Sequence, residues 1–291
     1  MPVPSNVQSA IISIKQSLKG KQLVLFLDYD GTLAEIQSEP DNTYMSKDMK
    51  RVLTDVSCLE DVIVVPISGR KTEDLRDRIG IKDIVYSGNH GLEMSGLDRP
   101  QQSGGKPGKM EYNLNEEELS KLRGGIKSIV TEMKEKKLGK EVGGNIEDKD
   151  TAMTWHFFNV PPNDVEQTVQ RACSIVKKNG LPVFDGEGCI EVRHPKITKG
   201  YAMKKILREK LGENWHETHS AIFIGDSSTD EEGFATLLED SGFRSDCVTF
   251  IKIQTDNSKP TRGKHIFSGP DDVYTLLCEL NNYYLHSAIV N

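Results

Sequence analysis

Short continuous apolar runs, each closed by polar residues or glycine, punctuate the chain. LVLFL (Leu23 to Leu27), VIVVPI (Val62 to Ile67), DIVYSG (Asp83 to Gly88), AIFIG (Ala221 to Gly225) and VTFIKI (Val248 to Ile253) are the clearest. Runs of this length without alternation predict strands buried on both faces, as in a parallel sheet. Between them, helical patterns cover about 46–59, 72–79, 199–211 and 231–238. Strand and helix in alternation predict a doubly wound, Rossmann-like α/β core built on a parallel sheet.

The middle of the chain follows another rhythm. After Gly96 comes LDRPQQSGGKPGKM, which reads as a loop, then a charged helix over about 116–137. Two strand candidates (LGKEVGGNIED and TAMTWHFFNV), a helix over about 162–179 and two more strands (LPVFDG and GCIEVRH) complete the block. Helix–strand–strand twice over predicts a four-stranded antiparallel sheet with two helices. The αβ rhythm resumes at Lys199. The simplest organisation is a core domain over 1–108 and 195–291, with an α+β cap domain, 109–194, inserted into it.

Composition narrows the function classes. A chain of 291 residues can bury a substantial core without disulfides. Five cysteines (Cys58, Cys173, Cys189, Cys247 and Cys278) are scattered and never form a CxxC pair. That argues against a disulfide framework or a thiolate zinc site and fits a reducing compartment. The first twenty residues lack the basic start and long apolar run of a signal peptide, and no apolar stretch reaches bilayer-spanning length. A soluble, cytoplasmic protein without a membrane partner is expected. Thirty-seven basic residues against forty-four acidic ones give a net charge of −7, with no basic stripe. Nucleic acid is therefore not expected as a partner, since affinity for its backbone rests on clustered cations. A small phosphorylated ligand stays open, because a few local cations and a metal suffice.

The sharpest chemical signal is Asp28-Tyr29-Asp30-Gly31-Thr32-Leu33, directly after the first buried strand. Ligands of open α/β sheets gather outside the carboxyl ends of the strands. Residues two apart on an extended segment point the same way, so Asp28 and Asp30 can face one site. One carboxylate can attack phosphorus while the other handles the leaving-group proton. A surface turn is a poor alternative after five apolar residues. A calcium loop is another, with Glu39 at its twelfth position, but Leu33 stands where that loop needs glycine.

Three weaker signals lie downstream. Ile67-Ser68-Gly69-Arg70 closes the second strand, where a hydroxyl and backbone N–H groups can hold phosphoryl oxygens. Arg70 could bind phosphate or form a surface ion pair. Lys199-Gly200 opens a helix after the inserted block, and its ammonium could offset charge on a transferring phosphoryl group. Gly225-Asp226-Ser227-Ser228-Thr229-Asp230-Glu231 follows the fourth strand, and its oxygen donors suit Mg²⁺. Asp226 reads as a metal ligand; Asp230 could serve the metal or cap the next helix.

Taken in order, DYDGTL, SGR, Lys199 and GDSSTDE resemble the four motifs of the haloacid dehalogenase superfamily of phosphohydrolases. The insertion between SGR and the lysine is similar to that of its sugar-phosphatase branch. Gly88-Asn89-His90-Gly91, Glu147-Asp148-Lys149, Trp155-His156 and Glu191-Val192-Arg193 resemble motifs of the trehalose-6-phosphate phosphatases, so the likeness covers about residues 22–285. It implies hydrolysis of trehalose 6-phosphate through an aspartyl-phosphate, with Asp28 as nucleophile and Asp30 as general acid, then base. Asp28, Asp30, Asp226 and Asp230, with the Tyr29 carbonyl, are the implied Mg²⁺ set, and Ser68 and Lys199 the phosphoryl holders. Arg70, Asn89, His90, Glu147, Lys149, His156, Glu191 and Arg193 are the implied substrate contacts. For the charged cap residues a solvated charge run competes with ligand contact, and His156 could be a satisfied core histidine. The family usually shows Gly-Asp-Asp-x-Thr-Asp-Glu, and here Ser227 replaces the second aspartate.

A small sugar phosphate is thus the expected ligand, and the resemblance leaves room for a trehalose-6-phosphate synthase as the partner that makes it. With no room for a fused synthase-like domain, a stand-alone phosphatase is expected. Phosphatases of sucrose phosphate or mannosyl-glycerate phosphate, a phosphohexomutase and a non-catalytic phosphosugar sensor are the alternatives.

Overall fold

The run QLVLFL forms strand β1 (Gln22–Leu27), whose last five residues are wholly buried. Strands flanked on both sides by others, with helices on both faces, have no solvent side to alternate toward. The computed structural model describes residues 5–18, 20–37, 40–96, 111–186, 188–254, 256 and 259–290. The loop expected over 97–110 and Glu39 of the calcium-loop reading lie outside these residues. The chain folds as two compact units, Met1–Glu111 with Thr198–Asn291, and Tyr112–Ile197.

In chain order the first unit contains α1 (Ser5–Ser17), β1, α2 (Lys47–Ser57), β2 (Val62–Pro66), α3 (Thr72–Ile79), β3 (Tyr86–Gly88) and β4 (Glu93–Ser95). The two-residue strand β5 (Glu111–Tyr112) stands at the junction. The second unit runs α4 (Glu116–Glu135), β6 (Asn145–Asp148), β7 (Met153–His156), α5 (Val165–Lys178), β8 (Phe184–Gly186) and β9 (Cys189–Val192). The first unit resumes with α6 (Lys199–Lys205), α7 (Trp215–Thr218), β10 (His219–Gly225), α8 (Ser228–Leu238), β11 (Val248–Ile253), β12 (His265–Phe267) and α9 (Pro270–Val290).

The main sheet is parallel throughout, in the order β12-β11-β10-β1-β2. Alternate residues of each strand face opposite layers. Leu23, Leu25, Leu27, Ile222 and Ile224 meet α1, α2, α3 and α9 on one face. Val24, Phe26, Ala221, Phe223 and Phe250 meet α6 and α8 on the other. Each fully buried Val, Leu, Ile or Phe among them contributes about 1.5–3 kcal/mol relative to exposure. From β1 the chain steps to β2 on one side and later returns to β10 on the other. This reversal at the carboxyl end of β1 is the crevice where ligands of open α/β sheets bind.

The second unit is the expected four-stranded antiparallel sheet, in the order β6-β7-β9-β8, with α4 packed against α5. A reciprocal capping box of Asn115 and Glu118 fixes the start of α4. Among the described residues no helix is long and apolar enough to cross a membrane.

Several boundaries differ from expectation. Asp83 takes φ +64°, a turn conformation, so the strand expected over 83–88 is confined to β3. A 3-10 turn at Lys140–Val142 confines the strand of LGKEVGGNIED to β6. The helix from Lys199 widens into a π segment at Ile206–Lys210. Helices α1, α7 and α9, and strands β4, β5 and β12, lie outside the predicted set.

Candidate active site

The register of the main sheet assembles the carboxylates. The Asp28 N–H donates to the Ile224 carbonyl (3.0 Å), which sets Asp28 beside the turn that begins at Gly225. On the other side the Ile67 N–H donates to the Leu27 carbonyl (2.8 Å), which brings Ser68 to the same end of the sheet. Gly31 turns the chain away with φ +72°, and a Cβ there would run into the Asp226 carboxylate. Only glycine serves both needs.

Lys199, the first residue of α6, lies in the middle of this cluster. Its Nζ is 2.9 Å from Asp28 Oδ1 and 2.8 Å from Asp230 Oδ1, and all three side chains are almost wholly buried. One carboxylate oxygen from each of Asp28, Asp226 and Asp230 lies within 4.8 Å of the others. Burial, then the charge of Asp230, drives the Asp28 carboxyl well above its usual range, against the pull of Lys199. The same two causes push Asp226 up to about 7. Burial also pushes Asp230 upward, but Lys199 and the Ser227 hydroxyl and amide outweigh it and hold Asp230 below the usual carboxylate range. Lys199 itself is raised, because Asp230 and Asp28 outweigh its burial.

Asp30 stands apart from this set. Both of its oxygens face Arg70, whose Nη2 is 2.6 Å from Oδ1 and whose Nε is 2.8 Å from Oδ2. Arg70 Nη1 also donates to Asp74 (3.0 Å), and its guanidinium lies 5.5 Å from the Tyr29 ring centroid. Arg70 is thus engaged in an ion pair with a motif carboxylate. The Tyr29 carbonyl accepts the N–H groups of Leu33 (2.9 Å) and Ala34 (3.0 Å) and so closes the turn.

Ser68 anchors a second turn. Its Oγ accepts the Arg70 N–H (3.2 Å), and its carbonyl accepts the His90 N–H (3.0 Å). Asn89 and His90 both adopt positive φ (45° and 57°), an uncommon conformation for side-chain-bearing residues. The Asn89 N–H donates to the Arg70 carbonyl (2.8 Å), and Asn89 Nδ2 donates to Glu93 (2.8 Å).

The remaining predicted residues belong to the second unit. Glu147, on β6, lies 3.5 Å from Lys149 Nζ and 3.3 Å from His156 Nε2. Glu191, on β9, lies 3.9 Å from Arg193, whose guanidinium sits 3.8 Å from the Phe184 ring centroid. Strand register pairs Glu147 with Thr154 and Thr154 with Glu191, so both carboxylates share one face of that sheet. His156 thus belongs to a polar network with Glu147.

The trehalose-phosphatase family profile matches residues 26–268. The chain belongs to the trehalose-phosphatase family. Probable trehalose-phosphate phosphatase 2 of Oryza sativa subsp. japonica is 31% identical over 250 residues, covering 81% of this chain and 64% of that protein. Trehalose-phosphate phosphatase B of Arabidopsis thaliana is 28% identical over 228 residues, covering 78% and 59%. The chain spans about three fifths of the length of these curated relatives. Among solved structures, the C-terminal domain of C. albicans trehalose-6-phosphate phosphatase aligns with a TM-score of 0.71 at 22% identity, over 97% of this chain and 98% of that one. That likeness shows a shared fold.

The donor set of this trehalose-phosphatase chain fits a divalent metal. Three carboxylates are gathered around one ammonium, and burial, then the charge of Asp230, pushes two of them toward protonation. A hard dication with oxygen ligands offsets that charge, and Mg²⁺ needs only one or two carboxylates in addition to water and phosphate oxygens. Asp28 and Asp226 would hold such an ion. Both oxygens of Asp230 are engaged, one by Lys199 and the other by the Ser227 amide (2.9 Å) and hydroxyl (2.6 Å).

Two residues of the site were missed in the sequence. Lys252, buried on β11, donates from Nζ to the carbonyls of Asp226 (2.5 Å) and Ser227 (2.8 Å) and so ties down the acidic turn. Its signal was a lone charge inside the run VTFIKI. Glu93, also buried, accepts from Thr72 N (3.3 Å), Thr72 Oγ1 (3.2 Å) and Asn89, which joins the start of α3 to the turn at His90. A cavity of about 920 Å³ among Lys15, Lys21, Asp61 and Tyr284 involves none of these residues.

Proposed function

We propose that the chain hydrolyses trehalose 6-phosphate to trehalose and inorganic phosphate through an aspartyl-phosphate on Asp28, with Mg²⁺ as cofactor. The observation that carries this reading is the placement of Lys199 between Asp28 and Asp230 with Asp226 alongside, at the carboxyl end of β1. A carboxylate held by an ammonium at a strand end is an oriented nucleophile, and the names of the relatives supply the substrate class.

Asp28 Oδ attacks phosphorus; a carboxylate–phosphorus bond forms as the bond to the sugar oxygen breaks. Asp30 gives that oxygen its proton, for which one Asp30 oxygen must leave Arg70. Asp30 next takes a proton from a water molecule that attacks the same phosphorus, and the Asp28 carboxylate departs. Lys199, with the Ser68 hydroxyl, offsets the charge on the phosphoryl oxygens. Bound Mg²⁺ supplies Lewis-acid charge neutralisation at Asp28 and Asp226. Glu147, Lys149, His156, Glu191 and Arg193 recognise sugar hydroxyls, and Asn89 and His90 shape the phosphate end.

Phosphate release from trehalose 6-phosphate, sucrose 6-phosphate, glucose 6-phosphate and mannose 6-phosphate, with Mg²⁺ and with EDTA, tests the reading. EDTA-sensitive release confined to trehalose 6-phosphate supports it. Release confined to another sugar overturns the substrate, and EDTA-insensitive release overturns the metal.

A further inference from the structure

One exposed aromatic ring sits among the charged residues of the second unit. In β7 the side chains alternate: Trp155 is buried against Phe157 (ring centroids 5.5 Å apart), whereas His156 faces Glu147. Phe158, two residues beyond His156, lies in the turn that follows β7. Its ring stacks on the imidazole at 6.1 Å with 21° between planes. Yet Phe158 is 59% exposed, a large apolar surface left in water.

The ring is held in place. Gly188 adopts φ +66°, and a Cβ there would run into the Phe158 ring, so the bare Gly188 backbone lies against the aromatic carbons. The Phe157 N–H donates to the Gly188 carbonyl (2.9 Å) and pins the two segments together. Exposed apolar residues scattered singly need no explanation. This one is backed by a histidine and a glycine at the end of a face that carries Glu147 and Glu191. A pyranose presents hydroxyls around its rim and an apolar C–H surface on its face. Carboxylates satisfy the first, and an aromatic ring in van der Waals contact satisfies the second.

We propose that Phe158 is a specificity-determining residue whose exposed ring receives the apolar face of a sugar unit of the substrate, while the neighbouring carboxylates take its hydroxyls. The inference rests on the sugar-phosphate reading above and adds to it a residue that the sequence motifs did not include.

Two variants test it. For Phe158→Leu, which keeps apolar bulk but removes the ring, KM for trehalose 6-phosphate should rise roughly three- to tenfold, the scale of one lost aromatic contact, with kcat little altered. Phe158→Trp should keep KM near the parent's and report binding directly. Trp155 and Trp215 are 0% and 2% exposed, so a new surface indole should dominate any emission change when unphosphorylated trehalose is added. A Phe158→Leu enzyme with the parent's KM, or Phe158→Trp emission that saturating trehalose leaves unmoved, overturns the proposal. If the parent hydrolyses the sugar phosphate while either result holds, only the stacking role falls. A parent inactive on every sugar phosphate, with emission unmoved, removes both readings.

Discussion

Replacing Ser227 by aspartate would give the chain the acidic pair usual in its family, and the structure predicts that the metal-free protein is damaged by it. Ser227 donates its hydroxyl to Asp230 Oδ2 (2.6 Å), alongside its own N–H (2.9 Å), while the other Asp230 oxygen holds Lys199. Ser227→Ala removes one charge-assisted hydrogen bond to a wholly buried carboxylate, a loss of about 1.5–3 kcal/mol. Ser227→Asp removes the same donor and adds a second anion. At about 4 Å and an effective dielectric near 20 the repulsion is about 4 kcal/mol, which we halve to ~2 kcal/mol because position 227 is half-buried. The aspartate variant should therefore be less stable than the alanine variant by about 2 kcal/mol, or roughly 3 °C in melting temperature for a chain of this size. Thermal unfolding followed by circular dichroism in EDTA at pH 8 measures the order, and Mg²⁺ should narrow the gap. An aspartate variant as stable in EDTA as the alanine variant would refute the reasoning.

Three further outcomes are expected. Lys199→Met leaves Asp28 and Asp230 facing each other without their cation, so chemical denaturation should show a loss of about 3–5 kcal/mol; a loss below about 1 kcal/mol contradicts the buried cluster. Gly31→Ala strains a φ of +72° and displaces the Asp226 carboxylate, so calorimetric titration should show weakened Mg²⁺ binding, and unchanged affinity would count against Asp226 as a ligand. His219 is buried at the start of β10, and burial lowers its pKa below the ordinary 6.5, against the opposing hydrogen bond to Trp215. The unfolded chain then binds the extra proton, so this group's contribution is complete above pH 6.5 and is lost as pH falls toward the folded value. Parent and His219→Gln stabilities, compared from pH 7.5 to 5, should converge on acidification; a constant difference goes against this assignment.

The parallel core was legible because its strands are buried on both faces, which leaves runs such as LVLFL and AIFIG without alternation. Helices α1 and α9 carry Val7, Ala10, Ile11 and Ile14, and Val273, Leu276, Leu277 and Leu280, at helical spacing, so their omission reflects unread signal and not absent signal. The beginning of α8 was placed three residues late because its capping box joins Ser227 to Asp230, inside a stretch that reads as metal ligands. Motif order located Asp28, Lys199 and Asp226, since each follows a strand or opens a helix at one end of the sheet. It could not show that Arg70 reaches across forty positions to take both oxygens of Asp30, or that Asp230 is engaged by Lys199 and Ser227. Those pairings depend on side-chain directions that only the assembled sheet fixes. Lys252 and Glu93 were hidden for a related reason: each is a charge within a short buried segment whose partners lie far along the chain.

The central claim is that phosphate passes through the Asp28 carboxylate. Enzyme mixed with stoichiometric trehalose 6-phosphate and Mg²⁺, quenched in acid within one turnover and reduced with borohydride, should yield a peptide in which Asp28 has become homoserine, the mark of an acyl phosphate. Turnover that proceeds with Asp28 unmodified, or homoserine at another aspartate in its place, would contradict the account.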